Sequence, residues 1–413
     1  MRIWVANHYA VPPHIGGITR HYELAQAWVE QDDEVEVTLW LSQFLHSSHQ
    51  YVTPAQQAQT ENLPRLHMRW LWSLPYRGNN LFRMLNMLSF ALLFGLVGMW
   101  QRRPDVILAS SPHLFTALTG WALARLKNCP FVLEVRDLWP DSLIKMRGLK
   151  RKTLLVHLLE RIEHFLYFQA DQIVVLTEHQ RQYIAHKGVC IDQIVLIPNG
   201  IVQGDLHSVQ MHRESYRKRM GAEEAEFIAI YAGAHGPANA LHHVVKAGAY
   251  IPEGFKIVLI GDGSEKKQLQ QLKEEKGLKN VLFLDPVPKK EVYRYLYAAD
   301  CGIISLANNE TFRGARPNKL FDYIYVGHPI VTTVGGEVES ILRTYDLGVF
   351  AGAEDAEALA ETIQQVKKYS PARLQQMKEN GKAYINNQGD RRKLAERLLL
   401  DLKRLVIRSN KRK

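Results

Sequence analysis

Short, continuous runs of apolar residues alternate with amphipathic segments through the first half of the chain. Such runs are typical of strands in a sheet that is covered on both faces, and the segments between them have the apolar spacing of helices. The predicted strands are residues 2–7, 34–41, 105–110, 131–136, 172–176 and 194–197. The predicted helices are residues 18–31, 114–127, 153–168 and 178–186. This alternation predicts a doubly wound α/β domain.

The same alternation begins again at residue 227 and predicts a second doubly wound domain. Its predicted strands are residues 227–232, 256–260, 281–284, 301–305 and 329–333. Its predicted helices begin near 239 and cover 265–276, 289–298 and 318–325. The polar stretch 197–226 is interpreted as a linker region, so we predict domains at 1–200 and 201–389, with a basic helix over 390–408 that can pack back on the first. Two Rossmann-like domains facing a cleft bind ligands at the carboxyl ends of their strands.

One segment departs from this pattern, because residues 84–100 are 17 consecutive uncharged and mostly apolar residues. A membrane-spanning helix needs about 20 such residues and would here split one domain across a bilayer, so we reject a span. A buried core helix and a helix lying in the membrane interface both remain open. Cations near this domain's strand ends favour the second alternative. With Trp100, the predicted membrane contacts are Lys145, Arg147, Lys150, Arg151 and Lys152.

Composition narrows the class of protein. The chain has 413 residues, of which 46% are hydrophobic and 23% charged, which excludes disordered and collagen-like proteins. Its 52 lysines and arginines exceed its 42 acidic residues by ten, and such an excess favours nucleic acid, anionic lipid or a phosphorylated substrate as partner. Three widely spaced cysteines favour a reducing compartment, and the first residues contain no secretory signal, so we expect a cytoplasmic protein.

Cations converge at the end of the predicted loop 306–317. Arg313, Arg316 and Lys319 surround Pro317, which suits the first turn of a helix, and the amides of a helix N-terminus bind anions. This pattern predicts a phosphate site, and Asp322 lies where a carboxylate could bind a ribose diol. Three glycine turns are weaker signals for ligand binding: Gly16-Gly17 before the first helix, Gly233 after a strand, and Gly261-Asp262-Gly263 after another.

Several kinds of catalytic site are absent from the sequence. It has no P-loop, no HExxH, no GxSxG and no zinc-like spacing of cysteine and histidine. His242 and His243 are adjacent and point to different helix faces, so they form a poor metal pair. No Asp-x-Asp pair occurs, which disfavours a metal-dependent sugar transferase with a single Rossmann domain. We therefore expect no metal and no cofactor.

Several segments resemble the group 1 (family 4) retaining glycosyltransferases. The most specific is residues 318–331, NKLFDYIYVGHPIV. The glycine loop at Gly16-Gly17, the IPNG of 197–200, the YAG of 231–233 and the IGDG of 260–263 are similar to further family segments. Residues 134–141, EVRDLWPD, resemble the branch that makes bacterial surface polysaccharides, which includes N-acetylfucosamine transferases of O-antigen synthesis.

The resemblance implies a GT-B fold, with a nucleotide-sugar donor on the second domain and the acceptor on the first. It implies catalytic roles for Lys319 and for Arg136 and Asp137, which would face the acceptor. The implied donor-binding residues are Gly16, Gly17, Gly233, His235, Gly263, Val287, Arg313, Arg316, Lys319, Leu320 and Asp322. Three positions depart from the family: Asp322 replaces a glutamate, Gly314 replaces a second one, and residues 234–239 lack the usual basic pair.

These observations predict a hexosyl or N-acetylaminodeoxyhexosyl transferase, retaining and independent of metal. It would move a sugar from a nucleotide diphosphate, with UDP favoured by the resemblance, to a polyprenyl-diphosphate-linked glycan at the inner face of the cytoplasmic membrane. The product would be lipopolysaccharide O-antigen, capsule or exopolysaccharide. A nucleotide-sugar 2-epimerase on the same fold is one alternative. A basic nucleic-acid-binding protein is another, although the sequence has no nucleic-acid-binding module, and we expect no nucleic-acid partner.

Overall fold

The computed structural model describes residues 1–15, 17–46, 48–59, 63–78, 81–140, 153–204, 212–223 and 225–411. The chain forms two compact units. The first consists of Met1–Pro198 together with Arg391–Lys413, and the second of Asn199–Asp390. The first unit therefore ends two residues before the boundary predicted at residue 200, and it includes the end of the chain.

The first unit contains a sheet of seven parallel strands in the order β3-β2-β1-β4-β5-β6-β7. The strands are β1 (Arg2–Ala6), β2 (Glu36–Ser42), β3 (Leu66–Leu71), β4 (Val106–Ser110), β5 (Phe131–Val135), β6 (Gln172–Val175) and β7 (Ile194–Leu196). The helices between them are α1 (Arg20–Gln31), α2 (Pro54–Ala58), α3 (Leu81–Trp100), α4 (Leu114–Leu126), α5 (Leu154–Gln169) and α6 (Glu178–His186). This order is that of a doubly wound fold, as predicted.

The second unit contains six parallel strands in the order β10-β9-β8-β11-β12-β13. The strands are β8 (Phe227–Ala232), β9 (Phe255–Ile260), β10 (Val281–Leu284), β11 (Cys301–Ile304), β12 (Ile330–Thr332) and β13 (Gly348–Phe350). The helices are α7 (Arg213–Arg219), α8 (His242–Ala247), α9 (Lys266–Glu275), α10 (Lys289–Ala298), α11 (Glu310–Arg313), α12 (Asn318–Val326), α13 (Glu337–Thr344), α14 (Ala356–Lys367) and α15 (Pro371–Tyr384). The final helix of the chain, α16 (Arg391–Lys411), packs on α1 in the first unit.

Helices cover both faces of the first sheet. On one face, α3, α4 and α5 share an apolar core with Trp40 and Phe131. On the other face, α1 and α16 pack on the sheet through Trp28 and Leu398, and the indole of Trp28 donates a hydrogen bond to the carbonyl of Ala395 at 2.7 Å. The burial of both faces explains the continuous apolar runs of the strands.

Eight elements of the described residues were not predicted from the sequence, namely β3, α2, α7, α11, α13, β13, α14 and α15. β3 pairs with β2 at the edge of the first sheet, and its exposed His67 and Arg69 interrupt the apolar pattern. The predicted linker contains a helix, α7, and the predicted loop 306–317 contains a short helical turn, α11. Both helices are polar and short, which leaves little periodicity to detect.

α3 has one face in the core of the first unit. Phe90 and Phe94 are fully buried, and the ring of Phe94 lies 5.1 Å from that of Trp40. Within the described ranges, α3 is also the one helix long and apolar enough to cross a membrane, and 33% of its most apolar window is buried. The core contacts of α3 identify it as an integral part of the folded unit.

This packing predicts unequal costs for two substitutions on α3. Phe94→Ala should lower the free energy of unfolding by about 3–5 kcal/mol, because it leaves a cavity beside Trp40. Leu92→Ala, on the exposed face of the same helix, should change it by less than about 1 kcal/mol. Denaturant unfolding of the two variants checks the difference, and equal small effects would show that α3 does not pack on the sheet in solution.

Candidate functional site

Two glycine turns meet at the carboxyl edge of the second sheet. Gly233 follows β8 and Gly261 follows β9, and a Cβ atom on Gly261 would lie 1.9 Å from the carbonyl oxygen of Gly233. A Cβ on Gly263 would likewise lie 2.4 Å from the carbonyl oxygen of His235. The amide of His235 donates to the carbonyl of Asp262 at 2.8 Å and so joins the two loops. Glycine is therefore required at 261 and 263 for this close approach of backbones.

Lys319 points toward these turns from the first turn of α12. Its ammonium donates hydrogen bonds to the hydroxyl of Tyr231 at 2.8 Å and to Oδ1 of Asn239 at 3.2 Å. It also lies 4.0 Å from the centre of the Tyr231 ring and close to Gly233. The structure thus brings together Gly233, Gly263, His235 and Lys319, four of the residues predicted to bind the donor.

The partners of Lys319 are neutral, and no described carboxylate forms an ion pair with it. Burial lowers the pKa of Lys319 to about 7, although the nearby carboxylate of Asp322 acts in the opposite direction. A desolvated ammonium without a carboxylate partner favours an anionic ligand. The surroundings of Lys319 are thus compatible with the phosphate-binding role that the sequence predicts for it.

The other two predicted cations have different surroundings. Arg316 is bonded to Glu337 at the start of α13, with its Nε 3.1 Å from Oε1, so its charge is balanced within the protein. Arg313 is exposed at the end of α11 and lies beside the turn at Gly335. The three cations predicted to converge therefore lie in three different settings.

The remaining donor-binding predictions also divide. Asp322 accepts a hydrogen bond at 2.7 Å from the hydroxyl of Tyr293 on α10, so part of its carboxylate faces that helix. The side chain of Leu320 is completely buried in the core because it lies on the inner face of α12, so any contact it makes with a ligand must come from its backbone. Val287 is half-buried in the loop between β10 and α10.

His235 is completely buried, and neither of its ring nitrogens has a hydrogen-bond partner among the described residues. Burial, with the charges of Lys266 and Lys319, lowers its pKa to about 4 in spite of Asp262. The imidazole is therefore neutral at physiological pH. It offers one donor and one acceptor beside Lys319, in a loop where the family usually has cations.

A polar network extends the site along β11 and β12. His243 lies 3.2 Å from the hydroxyl of Thr333 and 3.3 Å from that of Ser305. Ser305 in turn donates to the carbonyl of Asn239 at 2.6 Å, and Asn239 holds Lys319. The position of Lys319 thus depends on the carboxyl ends of three neighbouring strands.

Two family models match most of the chain. Residues 16–200 match the glycosyl transferase 4-like domain. Residues 212–384 match the glycosyl transferases group 1 model, and this segment contains Lys319 and both glycine turns of the second unit. The chain is a group 1 glycosyltransferase. These matches favour a transferase over the epimerase and the nucleic-acid-binding protein.

Individual proteins show the same relationship. A protein of Escherichia coli K12 that carries the name colanic acid biosynthesis glycosyl transferase WcaI is 23% identical over 301 residues, which cover 71% of this chain and 74% of WcaI. The glycosyltransferase WbjE of Pseudomonas aeruginosa is 23% identical over 278 residues, which cover 64% of this chain and 66% of WbjE. This glycosyltransferase is therefore a distant homologue of both.

Solved structures share the fold over nearly the whole chain. The crystal structure of Anabaena HepE in complex with UDP-glucose has a TM-score of 0.71 and 14% identity, covering 98% of this chain and 99% of HepE. That of WaaG, a glycosyltransferase involved in lipopolysaccharide biosynthesis, has a TM-score of 0.65 and 17% identity, covering 96% and 98%. The predicted GT-B fold of two Rossmann-like domains is confirmed.

In the first unit of this glycosyltransferase, the glycine turn leads into α1. Gly16 lies outside the described residues. Gly17 has a φ of +126°, and a Cβ atom there would lie 3.1 Å from the side chain of Val11. α1 then begins at Arg20, two residues later than predicted, and the hydroxyl of Thr19 donates to Glu23 at 2.6 Å. A carboxylate thus already lies at the N-terminus of α1.

Arg136 and Asp137 directly follow the carboxyl end of β5. The carbonyl of Arg136 accepts a hydrogen bond from the side-chain Nε2 of Gln180 at 2.8 Å, and the guanidinium of Arg136 has one buried nitrogen, Nη1, without a partner among the described residues. Asp137 is exposed and forms no side-chain hydrogen bond with Arg136. The two residues are therefore not joined by a side-chain hydrogen bond. Burial nevertheless raises the pKa of Asp137, and the charge of Arg136 acts in the opposite direction, so the two side chains lie near each other.

Sequence reasoning missed a histidine cluster at the same edge of the first sheet. His8 follows β1 and His113 follows β4, and their ring centres are 5.0 Å apart. Both are buried, and burial lowers the pKa of His113 to about 3, with Arg83 acting in the same direction. Neither nitrogen of His8 has a partner among the described residues. No spacing in the sequence signals this pair, because 104 residues separate its members.

The lowered pKa of Lys319 predicts that donor affinity depends on pH. A diphosphate stabilises the ammonium, so the pKa of Lys319 rises on binding and the complex takes up a proton. Affinity should be full below pH 7 and should decrease above it, by up to about tenfold per pH unit, until the pKa of the complex is reached. Titration calorimetry with a nucleotide diphosphate sugar, in buffers of different ionisation enthalpy, measures the proton uptake.

Lys319→Arg is the matched control, because arginine stays charged throughout this range. The donor affinity of the Lys319→Arg variant should not change between pH 6 and pH 9. These two values lie on either side of the pKa of about 7 for Lys319 in the wild type. A wild-type affinity that is equally independent of pH would contradict the assignment of Lys319 to the phosphate.

Proposed function

We propose that this protein transfers a sugar from a nucleotide diphosphate donor to a polyprenyl-diphosphate-linked glycan during synthesis of a bacterial surface polysaccharide. The observation that carries the proposal is the ammonium of the half-buried Lys319, which extends from the first turn of α12 and is held by two neutral groups, the hydroxyl of Tyr231 and the side chain of Asn239. The names of WcaI and WbjE support the reaction class, and that of WcaI supports the pathway class. The UDP-glucose bound by HepE supports UDP as the nucleotide.

Lys319 stabilises the leaving group in this proposal. As the glycosidic bond breaks, negative charge develops on the β-phosphate, and the fixed ammonium together with the amides of the first turn of α12 neutralises it. Arg313 is exposed and precedes Lys319 by six residues in the chain, and it is proposed as a second cation for the diphosphate. Because the protein supplies this charge, no metal is required. Retention of configuration, without a protein nucleophile, follows from the family resemblance.

The acceptor is assigned to the first unit. Asp137 is exposed at the carboxyl end of β5, with Arg136 beside it, and both are proposed to face the acceptor. α3 exposes large apolar side chains, including Trp100 at its end, which is consistent with an acceptor carried by a lipid. The proposed location is the cytoplasmic face of the inner membrane. The predicted contacts Lys145, Arg147, Lys150, Arg151 and Lys152 lie outside the described residues.

Replacement of Lys319 tests the donor site. Lys319→Ala should weaken binding of nucleotide diphosphates by about 1.5–3 kcal/mol and abolish turnover, because a charge-assisted contact to phosphate is lost. Lys382→Ala, which removes an exposed lysine of α15, is the matched control and should change neither. Thermal-shift screening of nucleotide diphosphates and their sugars measures binding and identifies the base. Unchanged donor affinity in Lys319→Ala would overturn the site.

Activity is predicted to survive excess EDTA, because Lys319 and helix amides take the role of a metal on the diphosphate. The assay is transfer of radiolabelled sugar to a short-chain lipid diphosphate acceptor, with and without the chelator. Complete loss that manganese or magnesium restores would contradict the proposed mechanism.

Asp322 is proposed to bind the ribose through its carboxylate, which the hydroxyl of Tyr293 helps to orient. Asp322→Ala should then weaken binding of the ribonucleotide by about 1.5–3 kcal/mol and have a smaller effect on its 2′,3′-dideoxy analogue. Tyr293→Phe separates positioning from contact, because it removes only the hydroxyl that orients Asp322. Equal losses for the two nucleotides would show that Asp322 does not contact the ribose.

A further inference from the structure

α3 has two apolar stripes, of which only one is in the core. The buried stripe includes Phe90, Phe94 and Gly98. A second stripe, at spacings of three and four residues, is exposed to solvent and consists of Leu85, Leu88, Leu92, Leu96 and Met99. Leu92 is 58% exposed, and Trp100 at the end of the helix is 85% exposed. A surface helix of a soluble domain ordinarily has polar residues on its outer face, so this stripe requires another explanation.

α5 repeats this arrangement. Its buried stripe includes Val156, Leu159 and Leu166. Its outer face has Leu154, Leu158, Phe165 and Phe168 at the same helical spacing, and Leu154 is 86% exposed and Leu158 53% exposed. Arg161 lies within this outer stripe, where Phe165, Phe168 and His164 line a shallow groove of about 400 Å³. The sequence pattern predicted this helix at residues 153–168 and did not single out its outer face.

The two exposed stripes lie on the same side of the first sheet, because α4 packs against both helices. A Cβ atom on Gly98 of α3 would lie 2.9 Å from Leu123 of α4, so these helices are in close contact. The ring of Trp121 on α4 lies 4.7 Å from that of Phe165 on α5, edge to face. Leu126, at the end of α4, is exposed as well. The outer faces of α3, α4 and α5 therefore form one apolar surface, called here the α3–α5 surface.

The charges of this surface are almost all positive. The sequence of α3 contains one charged residue, Arg83, whose guanidinium lies against the ring of Tyr9, and that of α4 contains one, the exposed Arg125. α5 adds Arg161, and Arg102 and Arg103 follow α3 directly. Its two acids are Glu160, which lies near His157, and Glu163, which is buried and bonded to Lys187. An apolar field with cations at its edge complements an anionic lipid surface.

We infer that the first unit docks on an anionic bilayer through the α3–α5 surface, with α5 contributing as much as α3. Leucines and aromatic rings insert among the acyl chains, and the arginines lie at the lipid headgroups. A second copy of the chain fits less well, because a symmetric contact through this surface would place like charges opposite one another. The inference rests on the proposed function in one respect, since the bilayer is where a lipid-linked acceptor is found.

Vesicle binding by paired variants of the full chain tests the inference. Leu92→Gln with Leu96→Gln changes α3, and Leu154→Gln with Leu158→Gln changes α5. The matched control is Leu400→Gln with Ile407→Gln on α16, two side chains 47% and 56% exposed that lie on the other side of the sheet. All three pairs leave core residues in place, and thermal melts confirm folding.

Co-sedimentation with vesicles of phosphatidylglycerol and phosphatidylcholine should show strong binding by the wild type and by the α16 control. Each of the other two pairs should reduce the partition coefficient by roughly tenfold or more. Vesicles of phosphatidylcholine alone should bind the wild type weakly. If the variant with both α5 substitutions binds vesicles as strongly as the wild type, the inference that α5 belongs to the docking surface is wrong. A further outcome is that the wild type does not bind vesicles and instead forms a dimer that both the α3 pair and the α5 pair abolish. That result would show that a second copy of the chain covers the surface, and it would overturn the lipid assignment.

Transfer to a soluble short-chain acceptor separates this inference from the proposed function. The α3 and α5 pairs should retain wild-type transfer in solution, because none of the four residues belongs to the proposed donor or acceptor site. Loss of vesicle binding with retained transfer supports both proposals. If the wild type binds vesicles but transfers no sugar from any nucleotide diphosphate, the docking surface stands and the proposed function fails.

Discussion

The buried carboxylate of Glu134 determines how the first unit is held together. It lies at the end of β5 with no exposed surface, and burial alone would raise its pKa. Interactions with His21, which is hydrogen-bonded to Glu134, and with the guanidinium of Arg20 instead keep the pKa of Glu134 well below its ordinary value. Arg20 donates to Glu134 at 2.9 Å, and His21 bonds to the second oxygen. Removing one partner from such a buried pair costs about 3–5 kcal/mol, so the start of α1 and the end of β5 are fixed together.

Residues at the start of α1 also form hydrogen bonds with the two segments through which the chain leaves and re-enters the first unit. The remaining guanidinium nitrogens of Arg20 donate to the carbonyls of Pro198 at 2.6 Å and Ile197 at 2.8 Å, where the chain leaves the first unit. It returns at Arg391, which donates to Glu23 of α1 at 3.0 Å. The first two turns of α1 therefore connect the glycine turn, the end of β5 and both crossings. Within the segment 134–137, Glu134 is thus structural, while Asp137 alone is exposed.

The sequence predicted helices and strands that have a local pattern of apolar residues. It missed site residues whose contacts depend on which loops lie next to one another in the folded protein. Buried parallel strands are continuous apolar runs, so eleven of the thirteen strands in the described part of the chain were found. Two edge strands, β3 and β13, were not, because Arg69 breaks the run of β3 and β13 is only three residues long. Lys319 was found because it lies among cations at a helix start. Tyr231, Asn239, His243 and Ser305 were missed, since their contacts arise from the strand order β8-β11-β12, which no spacing along the chain reveals. Sequence likewise could not show that Glu337 neutralises Arg316.

The apolar run 84–100 shows why composition and structure answer different questions. Counting residues left a core helix and an interfacial helix as alternatives, but α3 has an apolar stripe for each, with Phe94 inside and Leu92 outside.

The positive charges of the chain also fall into two kinds. Lys319 is a single half-buried cation, and its proposed interaction with a phosphate would be strengthened because little water screens it. Arg102, Arg103 and Arg125 are exposed, so each contributes weakly to attraction toward an anionic surface and salt screens them. The burial of each cation, rather than the net charge of the chain, thus distinguishes the proposed site for a single diphosphate from the proposed surface for many lipid headgroups.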